Sequence, residues 1–525
     1  MRATAWIGAT IVGLLASGTL ADEAPGGGRR ATASIEPRRF VTEHTGVFGG
    51  REVRFTATAG ETLVRDEEGE PTAMIFSTAY VEVGGQDPAS RPVTFLYNGG
   101  PGAASLWLHM GAFGPRVIAL PAMPRDDGAP PHPVQENPHT ILDVSDLVFI
   151  DPVGTGYSRP LGEKTHQDFY GIGPDAQSIA RFIQAWIEEH GRWNSPRYLA
   201  GESYGTTRTG MVTKELLDAH VGLNGVILIS GVLDYQYNRF RHGNVMAPVS
   251  FLPSYAATAW YHDALPDRPD DLEAFLDEVR HYARTDYAIA LISGSRLSPE
   301  ARRDVIARLH AYTGLSEDYL DRTNLRILPF RFMKELRRKD GLALGRADSR
   351  YAGLEEDAAG EYPETDAAVD AIGEAFVAAM HDHNRTFLDL RIGEPYRAFD
   401  ADAPRQWSWV LGPRPPSGGR FATIVPYLGQ AQRRNAEFRI LMASGYYDLA
   451  TPFFAAENAL AEPGLVPERI EFVQYESGHL LYLQDDVREA FLSDVRRFIE
   501  APGAPPSPGG TGLASRLPDA RALPQ

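Results

Sequence analysis

Along most of the chain, short apolar β-type runs alternate with stretches whose apolar positions recur at helical spacing. "EVRFTATAG" and "TAMIFSTAYVEV" predict an early antiparallel pair of strands, with "VTFLYNGG" as the next. "SDLVFIDPVG" and "RYLAGES" predict further strands, each ending in glycine-rich turn material. Between them "DAQSIARFIQAWIEEH" carries apolar residues at the period of a helix. "NGVILISGV", "EFRILMASGYYD" and "RIEFVQYESGH" complete the strands, and "DVREAFLSDVRRFI" predicts an amphipathic closing helix. Strands separated by helices predict an α/β protein with a largely parallel sheet and helices on both faces.

One region breaks this rhythm. Residues 235–435 are mostly helical in pattern, charged and punctuated by proline. They interrupt the strand series, so residues 40–234 and 436–500 are expected to form one core, with 235–435 as an inserted helical cap. Caps over the C-terminal edge of a sheet commonly shape a substrate pocket. At the start, Arg2 and "AWIGATIVGLLASGTLA" predict a secretory signal over 1–21, cleaved after Ala21. The competing reading is a retained membrane anchor, for which the run is short. Residues 22–39 read as a flexible lead-in, and the Pro- and Gly-dense 501–525 as a disordered tail.

Composition narrows the functional classes. A net charge of −18 disfavours a nucleic-acid partner. With no cysteine there are no disulfides, thiol nucleophiles or thiolate metal sites. At 525 residues and 43% hydrophobic content the core is large enough to stand without disulfides. An exported, cysteine-free chain suits a periplasm or the cell exterior, with no stable membrane insertion.

The candidate chemistry centres on "AGESYGTTRTG". Ser203 stands in a G-x-S-x-G pattern, with a strand before it and a plausible helix after it. That is the setting of a nucleophile elbow, where a sharp turn pushes the serine oxygen out at the top of a sheet. The same pattern also occurs in ordinary glycine-rich loops. A serine needs a base, and the base an orienting carboxylate. Asp448 follows one late apolar strand and His479 the next, with room for one helix between. Each alone reads as a turn or surface residue; together, in the order Ser–Asp–His, they form a candidate triad. A developing oxyanion needs N–H donors, one from Tyr204 and one from the glycine-rich "LYNGGPGAAS".

Taken together, "YNGGPGAASLWLHMGAFGP", "DPVGTGYS", "GESYG", "SGYYDLATP" and "ESGHLLYL" resemble the serine carboxypeptidase family, in the family's order. The resemblance implies an α/β-hydrolase fold with an inserted helical cap. It implies that Glu202, Asn98 and the N–H of Gly99 bind the substrate's terminal carboxylate, and that the N–H groups of Gly100 and Tyr204 form the oxyanion hole. Two facing carboxylates repel, so Glu202 can bind a carboxylate only with a shared proton, which burial favours. Peptide binding is then expected to be best in acid. The plain alternative for Glu202 is a cap-type carboxylate at a helix N-terminus.

The chain also departs from the family. Leu96 stands where a tryptophan is usual, and Ala103, Ala104 and Ser105 replace a Cys-Ser-Ser. Ala112 occupies the place of a second carboxylate-binding glutamate. The leading expectation is a serine carboxypeptidase that removes C-terminal residues from peptides with a free C-terminus, acting as a monomer or homodimer. An esterase, amidase or acyltransferase on the same triad is the second reading, and a catalytically silent binding protein the third. No metal or organic cofactor is implied. "HDH" at His381–His383 offers two possible ligands without a third, and a solvated cap segment is the simpler reading.

Overall fold

The structure, a computed structural model, describes residues 36–500 except Gln86, 122–128 and 412–420. The expected signal segment, nearly all of the lead-in and the expected tail lie outside the described residues. Nine strands build the main sheet: β1 (Arg39–Phe48), β2 (Arg51–Arg65), β3 (Pro71–Glu82), β4 (Val93–Tyr97), β5 (Asp146–Ile150), β6 (Arg197–Glu202), β7 (Gly225–Ile229), β8 (Arg439–Gly445) and β9 (Ile470–Tyr475). Their order is β1-β2-β3-β5-β4-β6-β7-β8-β9, with the two-residue strand Arg159–Pro160 paired to β3. The pairings from β1 to β5 are antiparallel, and those from β5 to β9 are parallel.

The parallel strands are buried on both faces, which is why "VTFLY", "DLVFI" and "GVILI" read as unbroken apolar runs. Alternate residues of each strand enter opposite cores. Phe95, Leu199, Val226 and Ile440 pack with helices α1 (Ile172–Glu189) and α2 (Tyr204–Asp218). Leu96, Ala200, Ile227 and Leu441 face the other way, against α4 (Ala367–Thr386) and α7 (Asp485–Glu500). A third core gathers α3 (Met246–Tyr261) and the helices after it around Tyr446, Tyr447, Leu449 and Phe453.

Residues 235–435 therefore contribute to all three cores. Their first half makes the third core, α4 covers one face of the sheet, and α5 (Val425–Arg434) packs on the opposite face. The remaining helix of the late core, α6 (Phe453–Leu460), lies between β8 and β9 as its spacing predicts. β1 is a strand that the apolar pattern did not single out. It is an edge strand whose residues alternate between exposed and half-buried, so it carries little apolar signal.

The sheet has one topological switch. From β4 the chain moves to β5 on one side, then crosses to β6 on the other. Loops leaving the C-terminal ends of β4 and β6 are thus neighbours, at the place where open α/β sheets bind ligands. Under this crevice a buried ion pair ties α1 to α2: Arg208 Nε lies 2.7 Å from Asp175 Oδ2. The Arg208 guanidinium also donates to the Asn98 carbonyl and lies near the Tyr97 and Tyr204 rings. Tyr204 Oη adds a 3.1 Å bond to Asp175. Arg208→Met is expected to cost about 3–5 kcal/mol in urea denaturation, because it leaves Asp175 buried and unpaired. Adding Asp175→Leu should recover much of that loss.

Candidate active site

Register sets the first contacts. Tyr97 pairs with Gly201, and Ile229 with Glu202, so the chain leaves β4, β6 and β7 at one level. Ser203 begins the turn from β6 into α2 with φ 62° and ψ −128°, a conformation that non-glycine residues seldom adopt. Its N–H donates to the Ile229 carbonyl at 3.0 Å. Backbone packs directly on backbone here. A Cβ on Gly99 would come 2.5 Å from the Tyr204 nitrogen and 2.6 Å from that of Gly205, so only glycine fits. Gly100, at φ +98°, continues the loop. The Asn98–Gly100 loop and the Ser203–Tyr204 turn thus face each other.

Asp448 and His479 follow β8 and β9 and meet directly, with His479 Nδ1 at 2.7 Å from Asp448 Oδ2. Asp448 is fully buried. Its Oδ1 accepts from the N–H groups of Ala450 (2.7 Å) and Thr451 (2.9 Å), and Thr451 Oγ1 lies 2.6 Å from Oδ2. This turn fixes the carboxylate without help from solvent. His479 is braced through its backbone: its N–H donates to Ala347, and its carbonyl accepts from Ser230 Oγ at 2.6 Å. Burial works against charging the ring. The Asp448 carboxylate, by charge and hydrogen bond, and the nearby charge of Glu202 outweigh it and hold the imidazole pKa above its ordinary value.

Glu202, only 3% exposed, has a donor on each oxygen. Asn98 Nδ2 bonds Oε1 at 2.9 Å and Tyr482 Oη bonds Oε2 at 2.7 Å. Asn98 Oδ1 in turn accepts from the Leu108 N–H at 3.1 Å. Burial is the largest influence on Glu202 and pushes its pKa up to about 7, against the two hydrogen bonds and the charge of His479. A carboxyl in solvent at a helix end would not behave so. Ala112 is fully buried in the turn His109–Phe113, and its carbonyl accepts from Asn137 Nδ2.

Three features escaped the sequence reading. Thr451 carries a recognisable signal, a turn hydroxyl three residues after Asp448. Tyr482 carried none, since its partner is 280 residues away in the chain. Phe399, 49% exposed, stands against Gly100 on a strand-like strap, where Ala104 N–H donates to Ala398 and Asp400 N–H to Gly102. The "HDH" segment needs correcting: His383 is not solvated but fully buried on α4, where Nε2 lies 2.8 Å from Tyr80 Oη. Tyr80 Oη also bonds His109 Nε2 at 2.7 Å, and burial holds both rings well below the ordinary imidazole pKa. Among the described residues, no group of three or more His, Asp and Glu side chains is placed to hold a metal. No described helix is long and apolar enough to cross a membrane.

The parallel sheet, its switch point and the strand–turn–helix at Ser203 define an α/β-hydrolase fold. The Kex1 prohormone-processing carboxypeptidase of Saccharomyces cerevisiae shares it, with a TM-score of 0.53 at 13% identity over 88% of this chain and 94% of that one. A sequence model described as serine carboxypeptidase matches residues 68–268. Serine carboxypeptidase-like 34 of Arabidopsis thaliana is 29% identical over 156 residues, 29% of this chain and 28% of that protein. Carboxypeptidase Y of Saccharomyces cerevisiae is 28% identical over 161 residues, 30% of this chain and 28% of that protein. Residues 68–268 are thus similar in sequence to the serine carboxypeptidase family, and the fold is shared with one carboxypeptidase. Each curated match spans less than a third of the relative's length. The matched segment 68–268 contains Asn98 to Gly100 and Ser203 and stops short of Asp448 and His479, which the fold alone brings to the same edge.

An unfolded glutamate titrates near 4.5 and Glu202 at about 7. Between those values the folded protein keeps a proton that the unfolded chain has released, so stability falls as pH rises. The contribution is about 3 kcal/mol in full. Glu202→Gln is expected to remove it, read as a flatter stability profile from about pH 4.5 to 7 in urea denaturation. Asp151, pushed up to about 6 by burial, acts with the same sign but is common to both proteins, so the difference isolates Glu202.

Proposed function

We propose that the chain is a serine carboxypeptidase that removes C-terminal residues from peptides with a free C-terminus, through an acyl-enzyme. The reading rests above all on one observation: a carboxyl buried beside the serine, with Asn98 Nδ2 on one oxygen and Tyr482 Oη on the other, whose pKa burial pushes up to about 7. Such a group meets a substrate carboxylate without charge repulsion, and Asn98 and the N–H of Gly99 share the task. In the first step Ser203 Oγ attacks the carbonyl carbon of the last peptide bond while its proton passes to His479. Asp448 orients the imidazole and stabilises its cation. The N–H groups of Gly100 and Tyr204 donate to the developing oxyanion. Collapse breaks the C–N bond, and the proton on His479 leaves with the departing amine. Water, deprotonated by His479, then releases the acyl group and restores Ser203.

Two protonation demands compete. His479 must be neutral, which its raised pKa delays, and Glu202 must be protonated, which fails above about 7. A free-acid substrate should therefore show a narrow optimum near neutrality or just below. An ester, which needs no protonated Glu202, should keep rising through that region.

Ala112 favours a second reading on the same triad, cleavage of esters or amides, or acyl transfer to an alcohol. It leaves Glu202 without the acidic neighbour that the family resemblance implies. A secreted or periplasmic location accords with the expected signal over 1–21.

The deciding measurement compares an N-blocked dipeptide acid, its C-terminal amide and a matching ester from about pH 4 to 8. The expected result is a preference for the acid that fades above about pH 7, with activity lowered about 10⁴-fold or more in Ser203→Ala. Equal cleavage of amide and acid at every pH would favour the second reading. Failure of a folded sample to react with a fluorophosphonate at Ser203 would favour a silent binding protein.

A further inference from the structure

The residue that faces Glu202 comes from an unexpected part of the chain. Tyr482, three residues after His479, is 1% exposed and lays its ring on Gly111, where an added Cβ would come 2.3 Å from two ring carbons. Its hydroxyl reaches Glu202 Oε2 at 2.7 Å while Asn98 Nδ2 holds Oε1 at 2.9 Å. Gly111 immediately precedes Ala112. Gly111 therefore leaves the space that the phenol fills, and the phenol points at the carboxyl beside the serine.

We propose that Tyr482 is a positioning residue: its hydroxyl clamps one oxygen of Glu202, so that Glu202 reads a substrate carboxylate as a lone acid with a phenol partner rather than as half of a carboxyl pair. This rests on the carboxylate-reading role proposed above for Glu202. The chemistry separates the two designs. A second carboxyl would titrate alongside the first, whereas burial and the charge of Glu202 hold the Tyr482 proton far above the working range. The site then has one titration to lose as pH rises. The largest charge influences on Glu202 come from His479, in the loop after β9, and Asp448, in the loop after β8; Asn98, Gly111 and Ala112 carry no charge.

The clamp has a definite sign. A donor to a carboxylate stabilises the ionised form, so removing it lets Glu202 hold its proton to higher pH. Tyr482→Phe keeps the ring on Gly111 and removes only the hydroxyl. In this variant the descending limb of kcat/KM for the free-acid dipeptide should move up by about one pH unit, through KM more than kcat. The shift should vanish when the same change is made on Glu202→Gln. Superimposable free-acid profiles for the wild type and Tyr482→Phe would overturn the clamp. If the wild type does not distinguish acid from amide at all, the role of Glu202 falls, and the clamp is still tested without turnover. The infrared band of the protonated buried carboxyl, assigned by its loss in Glu202→Gln, should titrate about one unit higher in Tyr482→Phe. An unmoved band would overturn the clamp by itself.

Discussion

Two stretches of bare backbone pressed together are the constraint on which the rest of this structure depends. The Gly99 loop lies so close to the turn at Ser203 that no side chain can stand between them. That approach requires the switch in strand order between β4 and β6, and the pairing of Tyr97 with Gly201 that levels their ends. It also requires support from below. Arg208 provides it by joining the Asn98 carbonyl to Asp175, which ties the loop, α2 and α1 together. Polar groups at the surface of the crevice are positioned by a charge pair buried beneath it.

Above that floor, the electrostatics are divided between two carboxyls of opposite character. Asp448 is surrounded by donors within its own turn and lies 2.7 Å from His479 Nδ1. Glu202 is equally buried but has only two donors, and burial wins over both. Each influences the same imidazole. The charge on Glu202 favours the charged imidazole of His479, and the charge on His479 favours the ionised Glu202.

Much of this could be read from the sequence, for a physical reason. Strands buried on both faces must be apolar throughout, and loops at their ends must turn sharply, so both leave dense local signals. Ser203, Asp448 and His479 each follow such a strand. The resemblance implies a shared task for Asn98 and Glu202, and their 2.9 Å contact is an addition from the structure. What escaped was written at long range. β1 hides because an edge strand buries little, and Tyr482 because "HLLYL" reads as plain core. His383 was misjudged because its burial depends on Tyr80, 303 residues distant in sequence. The insertion's three-way division among the cores follows from packing partners that periodicity does not name.

The order of the chain has a consequence for synthesis. Ser203 and the Gly99 loop belong to the first half of the chain, whereas Asp448 and His479 arrive with β8 and β9. Tyr482 comes later still. A chain that stops short of β8 therefore contains the turn and its glycine loop but neither the His479 imidazole nor the Asp448 carboxylate. The third core includes Tyr446, Tyr447 and Leu449, the chain neighbours of Asp448, so the helices that begin with α3 need these late residues to complete their packing. Domains fold as units during synthesis, amino-terminal parts first. Under the proposed mechanism, an unfinished chain has the serine without the histidine and aspartate that would act on it.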